Sequence, residues 1–453
     1  MKSSRRVVIT GMGALCNIGT TVDEMWASAL KRQSQVSNIP KQWQLFNDFK
    51  CEVWAPLPPL DYAARGVTKA QLLKTDLVTV HQYITATEAL KQAGFTFSEG
   101  DTKRTLKINE LDNTQRMGVI TGTAVGGITT AFNNHSLLVL GKNKKALEGM
   151  LSDEQKQSLH FQDWLAPRKL NPFAIPMLMS NAVSAFLGIQ FSINGPNQTI
   201  DLACAAGSSA ILTSFNAIKN GLLDIALTGG SEYLNDDYGA SFRGFDVSGT
   251  LTQNKGDITL ANRPFDKQRA GFLLAEGGSG ALVLESYEHA TKRGANILCE
   301  IVGGGNTFDA FSMMQPDPCA KQAQIAIEQA ISTANISQQD INYINTHGTG
   351  TISGDESESA LIKRLFGSRP LVASTKALTG HSIGAAGALE AIITAKTLMH
   401  QQAHGMPNLE EPINDLNFAV ESQPVEAEYG LSQSFAFGGH NIALILKRIN
   451  NEN

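Results

Sequence analysis

Cys204 closes the run Thr199-Ile-Asp-Leu-Ala203 and opens Ala205-Ala-Gly-Ser-Ser-Ala-Ile-Leu212. The first segment reads as a strand and the second as a helix of small residues. A helix N-terminus offers free N–H groups and partial positive charge, which favour a thiolate. Small neighbours keep the sulfur approachable and let the helix sit deep. The residues alone allow two states, an approachable nucleophile or a buried structural thiol. Cys16, Cys51, Cys299 and Cys319 lack such a setting. The odd count, with no CxxC or CxxxC pair, argues against a disulfide framework and a zinc ribbon.

Two of the nine histidines fall in glycine-rich turns after strands. His347 lies in Asn345-Thr-His-Gly-Thr-Gly-Thr351, and His381 in Ser374-Thr-Lys-Ala-Leu-Thr-Gly-His-Ser-Ile-Gly384. Loops at strand ends are where α/β proteins place their chemistry. His381 also precedes a helix, whose dipole favours the neutral imidazole. Either ring could instead be a loop histidine satisfied by backbone. The histidine spacing fits no common metal pattern, and no metal is expected.

Gly380-His-Ser382-Ile-Gly384 also matches the G-x-S-x-G elbow of serine hydrolases, with Asp415 and His440 following in the order of a triad. The elbow needs a strand that leads directly into the serine, yet Lys376-Ala-Leu-Thr379 intervenes. No complete G-x-G-x-x-G or Walker A string occurs, so nucleotide binding lacks its usual signal.

The elements that must position these residues alternate between short apolar strands and helices. Arg6–Thr10 reads as a strand closed by Gly11-Met-Gly13, residues 78–94 as a helix, and Met117–Thr121 as a strand. Strands at Ile225–Gly230, Gly280–Leu284, Ile341–Asn345 and Leu371–Ser374 follow, with helices over 319–335 and Ala385–Met399. Leu431–Phe435 and Ile442–Leu446 form a final hairpin around Gly438-Gly439. Residues 98–115 and 141–160 are polar and read as surface insertions. The pattern predicts a layered α/β fold with a buried sheet. Both halves repeat strand, glycine-rich turn and small-residue helix. This suggests a pseudo-duplicated chain, one half over 1–285 with the cysteine and one over 286–453 with both histidines.

With 453 residues, 42% of them hydrophobic and 17% charged, the chain can bury a large core. A net charge of -5 gives no global basic excess, so nucleic acid is not an expected partner. No apolar run reaches membrane-spanning length, and the N-terminal one is too short for a signal peptide. A cytoplasmic protein is the expectation.

Taken together, Ala203-Cys204-Ala205, Asn345–Thr351, Ser374–His381, Arg263-Pro-Phe-Asp266 and Gly384-Ala-Ala-Gly-Ala-Leu-Glu390 occur in an order that resembles the β-ketoacyl-[acyl-carrier-protein] synthases. The likeness runs from Arg6 to Asn441 and is strongest to the elongating, KAS II-like branch and its polyketide relatives. It implies the thiolase fold, two α/β halves in five αβαβα layers, acting as a homodimer or as a heterodimer with a chain-length-factor-like homologue. It implies an acyltransferase that performs a decarboxylative Claisen condensation of malonyl-carrier protein with an acyl chain held on Cys204. A non-catalytic partner subunit of that family would lack the cysteine. No permanently bound cofactor is implied; the phosphopantetheine arm of the carrier brings the substrate.

Residue by residue, the resemblance gives His347 and His381 as donors to the enolate. Lys376 becomes a buried charge with Glu358 as its partner. Phe437 becomes a gate whose N–H joins that of Cys204 as an oxyanion site. Thr349 and Thr351 would hold the phosphopantetheine arm, while Val125, Ala174 and Phe435 would shape the acyl pocket. Arg168 and Lys169, with Lys69 and Lys74, would meet the acidic carrier. The chain departs from the pattern at Leu202, Ala436, His440, Gly249 and Ala174. These departures leave chain length and carrier identity open, and the polar insertions suggest a specialised enzyme rather than the housekeeping one, with fatty acid synthesis and a polyketide or polyene pathway both standing as readings.

Overall fold

Gly11 and Gly13 do not end the first strand. In the computed structural model, which describes residues 5–45, 48–102, 105–158, 170–253 and 256–449, β1 runs on through them as Val7–Leu15. A Cβ at Gly11 would stand 2.0 Å from the carbonyl oxygen of Ala89, and one at Gly13 2.0 Å from that of Thr85. The glycines thus let α1 (Leu77–Gln92) lie directly on the strand. A register shift between Ile9 and Gly11 absorbs the local change of course.

Nine further strands complete one sheet. They are β2 (Met117–Thr123), β3 (Asn197–Asp201), β4 (Ile225–Tyr233), β5 (Gly277–Ser286) and β6 (Cys299–Phe308). Then come β7 (Ile341–Asn345), β8 (Leu371–Ala373), β9 (Tyr429–Ala436) and β10 (His440–Arg448). The order is β8-β7-β9-β10-β6-β1-β5-β4-β2-β3. Read outward from the middle, β1-β5-β4-β2-β3 and β6-β10-β9-β7-β8 are the same series. In each, two antiparallel pairings are followed by two parallel ones. A short antiparallel seam, Val7–Ile9 against Cys299–Ile301, joins them.

Helices sort into layers around this sheet. α1 and α3 (Ala182–Gln190) cover the outer face of the first series, and α6 (Lys321–Ala334) covers β6 and β10. α4 (Ala206–Lys219) and α9 (Ala386–His400) touch strands of both series and each other, so they form the central layer. Such a helix must be apolar or small all round. α9 is buried without interruption from Ala386 to Leu398, and the first five residues of α4, Ala206-Gly-Ser-Ser-Ala210, are buried too. The result is five layers, α, β, α, β, α.

The final hairpin forms around its glycines, with strands longer than the sequence pattern marks. At 97–108 the chain makes a small hairpin of Phe97–Glu99 with Leu106–Ile108, its Ile108 buried in the core, not a plain loop. Part of 141–160 extends α2 (Ile128–Glu148), and Asp153–Ser158 forms a short helix. No helix among the described residues is long and apolar enough to cross a membrane.

Candidate active site

The chain turns sharply between β3 and α4. Ala203 takes φ 45°, in the left-handed region that a Cβ disfavours, at the start of the 3-10 turn Ala203–Ala205. Holding a non-glycine residue there costs about 1–3 kcal/mol. The turn sets Cys204 just ahead of α4, with its side chain buried. A matching turn, Ile383–Ala385 with Ile383 at φ 48°, precedes α9. His381 lies just before it, after the short helix α8 (Lys376–Thr379).

These turns bring the sulfur and the imidazole together: Cys204 Sγ and His381 Nε2 are 3.0 Å apart. The His347 ring stands edge-on to that of His381, with centroids 5.5 Å apart. Burial pushes the Cys204 thiol up to about 12, against the Lys376 ammonium and a hydrogen bond from the Phe437 backbone N–H, both of which favour thiolate. Burial outweighs the helix terminus, so the resting group is a thiol. Burial, then Lys376, hold His381 well below the usual imidazole range. His347 is lowered by the same two causes and by His381. Both rings are neutral at physiological pH.

Lys376 corrects one sequence expectation. Its Nζ pairs with Glu390 of α9, not with Glu358, and both members are almost completely buried. It also lies 3.3 Å from His347 Nδ1. An ammonium can only donate, so Nδ1 accepts and the His347 proton sits on Nε2. Glu358 does other work. Its carboxylate accepts the backbone N–H groups of His347 and Gly348, both at 2.7 Å, and the side-chain amide of Gln433. Asp355 accepts those of Thr349 and Gly350, both at 3.1 Å. Positions 355 and 358 share one face of α7 (Ile352–Phe366), so two carboxylates fix the whole histidine-bearing loop. The sequence signal for Glu390 was a lone acid in a helix of small residues; Asp355 gave no comparable one.

A cavity of about 440 Å³ opens onto Cys204 and is lined by both histidines, Thr349, Thr351, Phe435 and Phe437. The two threonine hydroxyls are 2.9 Å apart. Val125 and Ala174 do not line this cavity. Val125 is partly exposed, and Ala174 begins a short helix, Ala174–Leu178, near the exposed Ile175 and Met179. Lys69 and Lys74 bound an exposed short helix, with Lys74 Nζ 5.0 Å from the Phe173 ring centroid. Arg168 and Lys169 lie outside the described residues.

The serine-hydrolase arrangement is absent. Ser382 Oγ is buried with no hydrogen-bond partner among the described residues. Asp415 pairs with Lys363 at the surface, and His440 packs on Phe308.

A buried sulfur thus faces two neutral imidazoles where the two strand series meet. Residues 4–290 match the profile of the β-ketoacyl synthase N-terminal domain, and residues 298–410 that of its C-terminal domain. The chain is 33% identical to 3-oxoacyl-[acyl-carrier-protein] synthase 2 of Vibrio harveyi, over 99% of both chains. Among solved structures it is similar to a type II PKS ketosynthase in complex with its acyl-carrier protein, bound to the hexaketide. The TM-score is 0.81 and the identity 25%, covering 99% of this chain and 100% of that one. It is also similar to the ishigamide ketosynthase/chain length factor, with TM-score 0.79 and 28% identity, covering 99% and 100%. The chain belongs to the β-ketoacyl synthase family. It is a condensing enzyme, an acyltransferase of fatty acid or polyketide synthesis.

Proposed function

We propose that Cys204 carries the growing acyl chain and that His347 and His381 stabilise the enolate that extends it. The observation behind this is the 3.0 Å contact of Sγ with His381 Nε2 at the inner end of the cavity. In the first half-reaction Sγ attacks the thioester carbonyl of an acyl-phosphopantetheine. The thiol proton ends on the departing pantetheine sulfur, while His381 keeps its own proton on Nε2 and donates to Sγ as thiolate charge develops there. The N–H groups of Cys204 and Phe437 meet the oxyanion. In the second, malonyl thioester loses CO2, and negative charge develops on the thioester oxygen. His347, its proton held on Nε2 by Lys376, donates to that oxygen together with His381. The resulting carbanion attacks the acyl-Cys204 carbonyl and expels Sγ as thiolate, which takes a proton from solvent to restore the resting thiol. The product is a 3-oxoacyl chain two carbons longer on the carrier.

Thr349 and Thr351 hold the phosphopantetheine arm where it passes through the mouth. Lys69 and Lys74, with Arg168 and Lys169, supply positive charge to an acidic carrier. Val125 and Ala174 bound the far end of the acyl channel at a subunit interface. The open edge of β3 and the exposed Ile175, Met179 and Ile189 border that face. The partner there is a second copy or a chain-length-factor-like homologue, and light scattering on the chain purified alone distinguishes them by mass. The division 1–285 and 286–453 is supported by the repeated strand series. Such an enzyme works in the cytoplasm with its carriers.

The extended α2 and the hairpin at Phe97–Ile108 support a specialised pathway over housekeeping fatty acid elongation. Full-rate elongation of ordinary fatty acyl chains on the fatty-acid carrier would refute that assignment. For the chemistry, mass spectrometry after incubation with an acyl-carrier protein should show one acyl adduct on the wild type and none on Cys204→Ala. A persisting adduct on the variant would place the nucleophile elsewhere.

A further inference from the structure

The mirrored strand series makes β4 the counterpart of β9, and the turn before α9 the counterpart of the turn before α4. Cys204 therefore corresponds to Gly384. The contacts at these two points cross between the series. Phe437, just after β9, turns its N–H toward Cys204. Glu232, next to last in β4, turns its carboxylate toward Gly384, whose N–H it accepts at 3.3 Å. The place that would be a second oxyanion pocket is thus filled by a carboxyl group of the protein itself.

Glu232 reaches further than Gly384. It accepts the N–H of Ala124 at 2.7 Å and the hydroxyl of Thr123 at 3.2 Å, and the N–H of Val125 adds a fourth donor. It is completely buried. These donors belong to two loops. One is the turn that follows His381; the other leads from β2 to Val125 and α2. Space between them is closed: a Cβ on Gly384 would lie 2.6 Å from both Glu232 Oε2 and Ala124 N. No ion pair to Glu232 occurs among the described residues, although Lys376 and Glu390 lie in the same buried region around Cys204. Burial pushes its carboxyl up to about 8, against the hydrogen bonds that favour the anion.

We infer that Glu232 is a positioning residue: by clamping the His381 turn to the Val125 loop it sets the approach of His381 to Cys204 and the shape of the acyl channel together. This rests on the proposed condensation for its effect on turnover, but its geometric part does not.

The test compares wild type, Glu232→Gln and Thr123→Val, the last removing one donor and sparing the carboxylate. Three readouts are taken on folded protein: melting temperature, alkylation of Cys204 by iodoacetamide followed by intact mass, and condensation with acyl chains of graded length. Gln keeps one acceptor and turns an NH2 toward an N–H, so the clamp is displaced without being emptied. For Glu232→Gln, kcat should fall about 10-fold or more with KM for malonyl-carrier protein little changed, since misplacement of a reacting group by about 1 Å can cost 100-fold. Chain-length preference should broaden, and the alkylation rate should change several-fold. Thr123→Val should show the same trends more weakly. Activity that falls only in step with the folded fraction, with alkylation and chain-length profile as in wild type, would overturn the inference. Should Glu232→Gln not fold, Thr123→Val decides by the same criteria. If wild type itself proves unable to condense, the proposed function falls, and alkylation alone judges the clamp.

Discussion

The pair Lys376–Glu390 is where a single atom of charge matters most. Both side chains are buried, and the ammonium also fixes the His347 tautomer. Removing one partner strands the other, which typically costs about 3–5 kcal/mol. Glu390→Ala should therefore lower the melting temperature markedly, and malonyl decarboxylation should fall in what remains folded. Glu358→Gln should be milder, because an amide oxygen can still accept one of the two N–H groups. Comparing the melts of the two variants checks which carboxylate is the true counter-ion. The sulfur and both imidazoles were legible from residue type and turn context. The counter-ion was not, because a buried lysine announces that it needs an acid without saying which. Glu358 and Glu390 lie on helices that only the tertiary fold ranks by distance. Asp355 was invisible for the same reason: a carboxylate in an ordinary helix shows its purpose only when backbone N–H groups converge on it.

Among the elements, the turn ahead of α4 is held in a strained conformation. Ala203 at φ 45° suits glycine better than alanine. Ala203→Gly should relieve about 1 kcal/mol of strain and raise the melting temperature slightly. The freed turn should hold the sulfur less firmly, so acylation of Cys204 should slow. A melt together with stopped-flow acylation checks both directions; faster acylation would contradict the view that the strain serves placement. Strand and helix positions were read well where composition and a glycine boundary were clear, as in α1 with Gly94 beyond it, the small-residue α9 and the last hairpin. The first strand was cut short at Gly11 because glycine after a β-branched run usually marks a turn. Here it marks the place where a helix presses on a strand, and the sequence carries no sign of which use applies.

For the molecule as a whole, buried titratable groups set opposing pH dependences. His81 and His404 are lowered to about 3 and about 4 by burial, and His347 and His381 are lowered too. The unfolded chain takes up these protons below the ordinary imidazole value, so stability falls as pH drops beneath about 6.5. Burial raises Glu88 to about 7 and Glu232 and Glu358 to about 8. The fold keeps these protons after the unfolded chain has lost them, so stability also falls as pH rises from about 4.5 through 8. The two trends oppose each other between about pH 4.5 and 6.5, so the melting temperature should fall on both sides of that window. Glu88→Gln should remove the loss of stability that this group adds between about pH 4.5 and 7, checked by a melting-temperature series across that window. The repeated α/β layering was visible in the sequence, but the crossed pairing of the two series was not, since it depends on contacts between distant segments. That crossing has an operational meaning. Sulfur comes from one series and both rings from the other, while only three paired residues stitch the sheets at the seam. Neither fragment, produced by itself, can own the chemistry, and turnover becomes a gauge of how faithfully the two pieces dock, sensitive to slippage long before any helix melts.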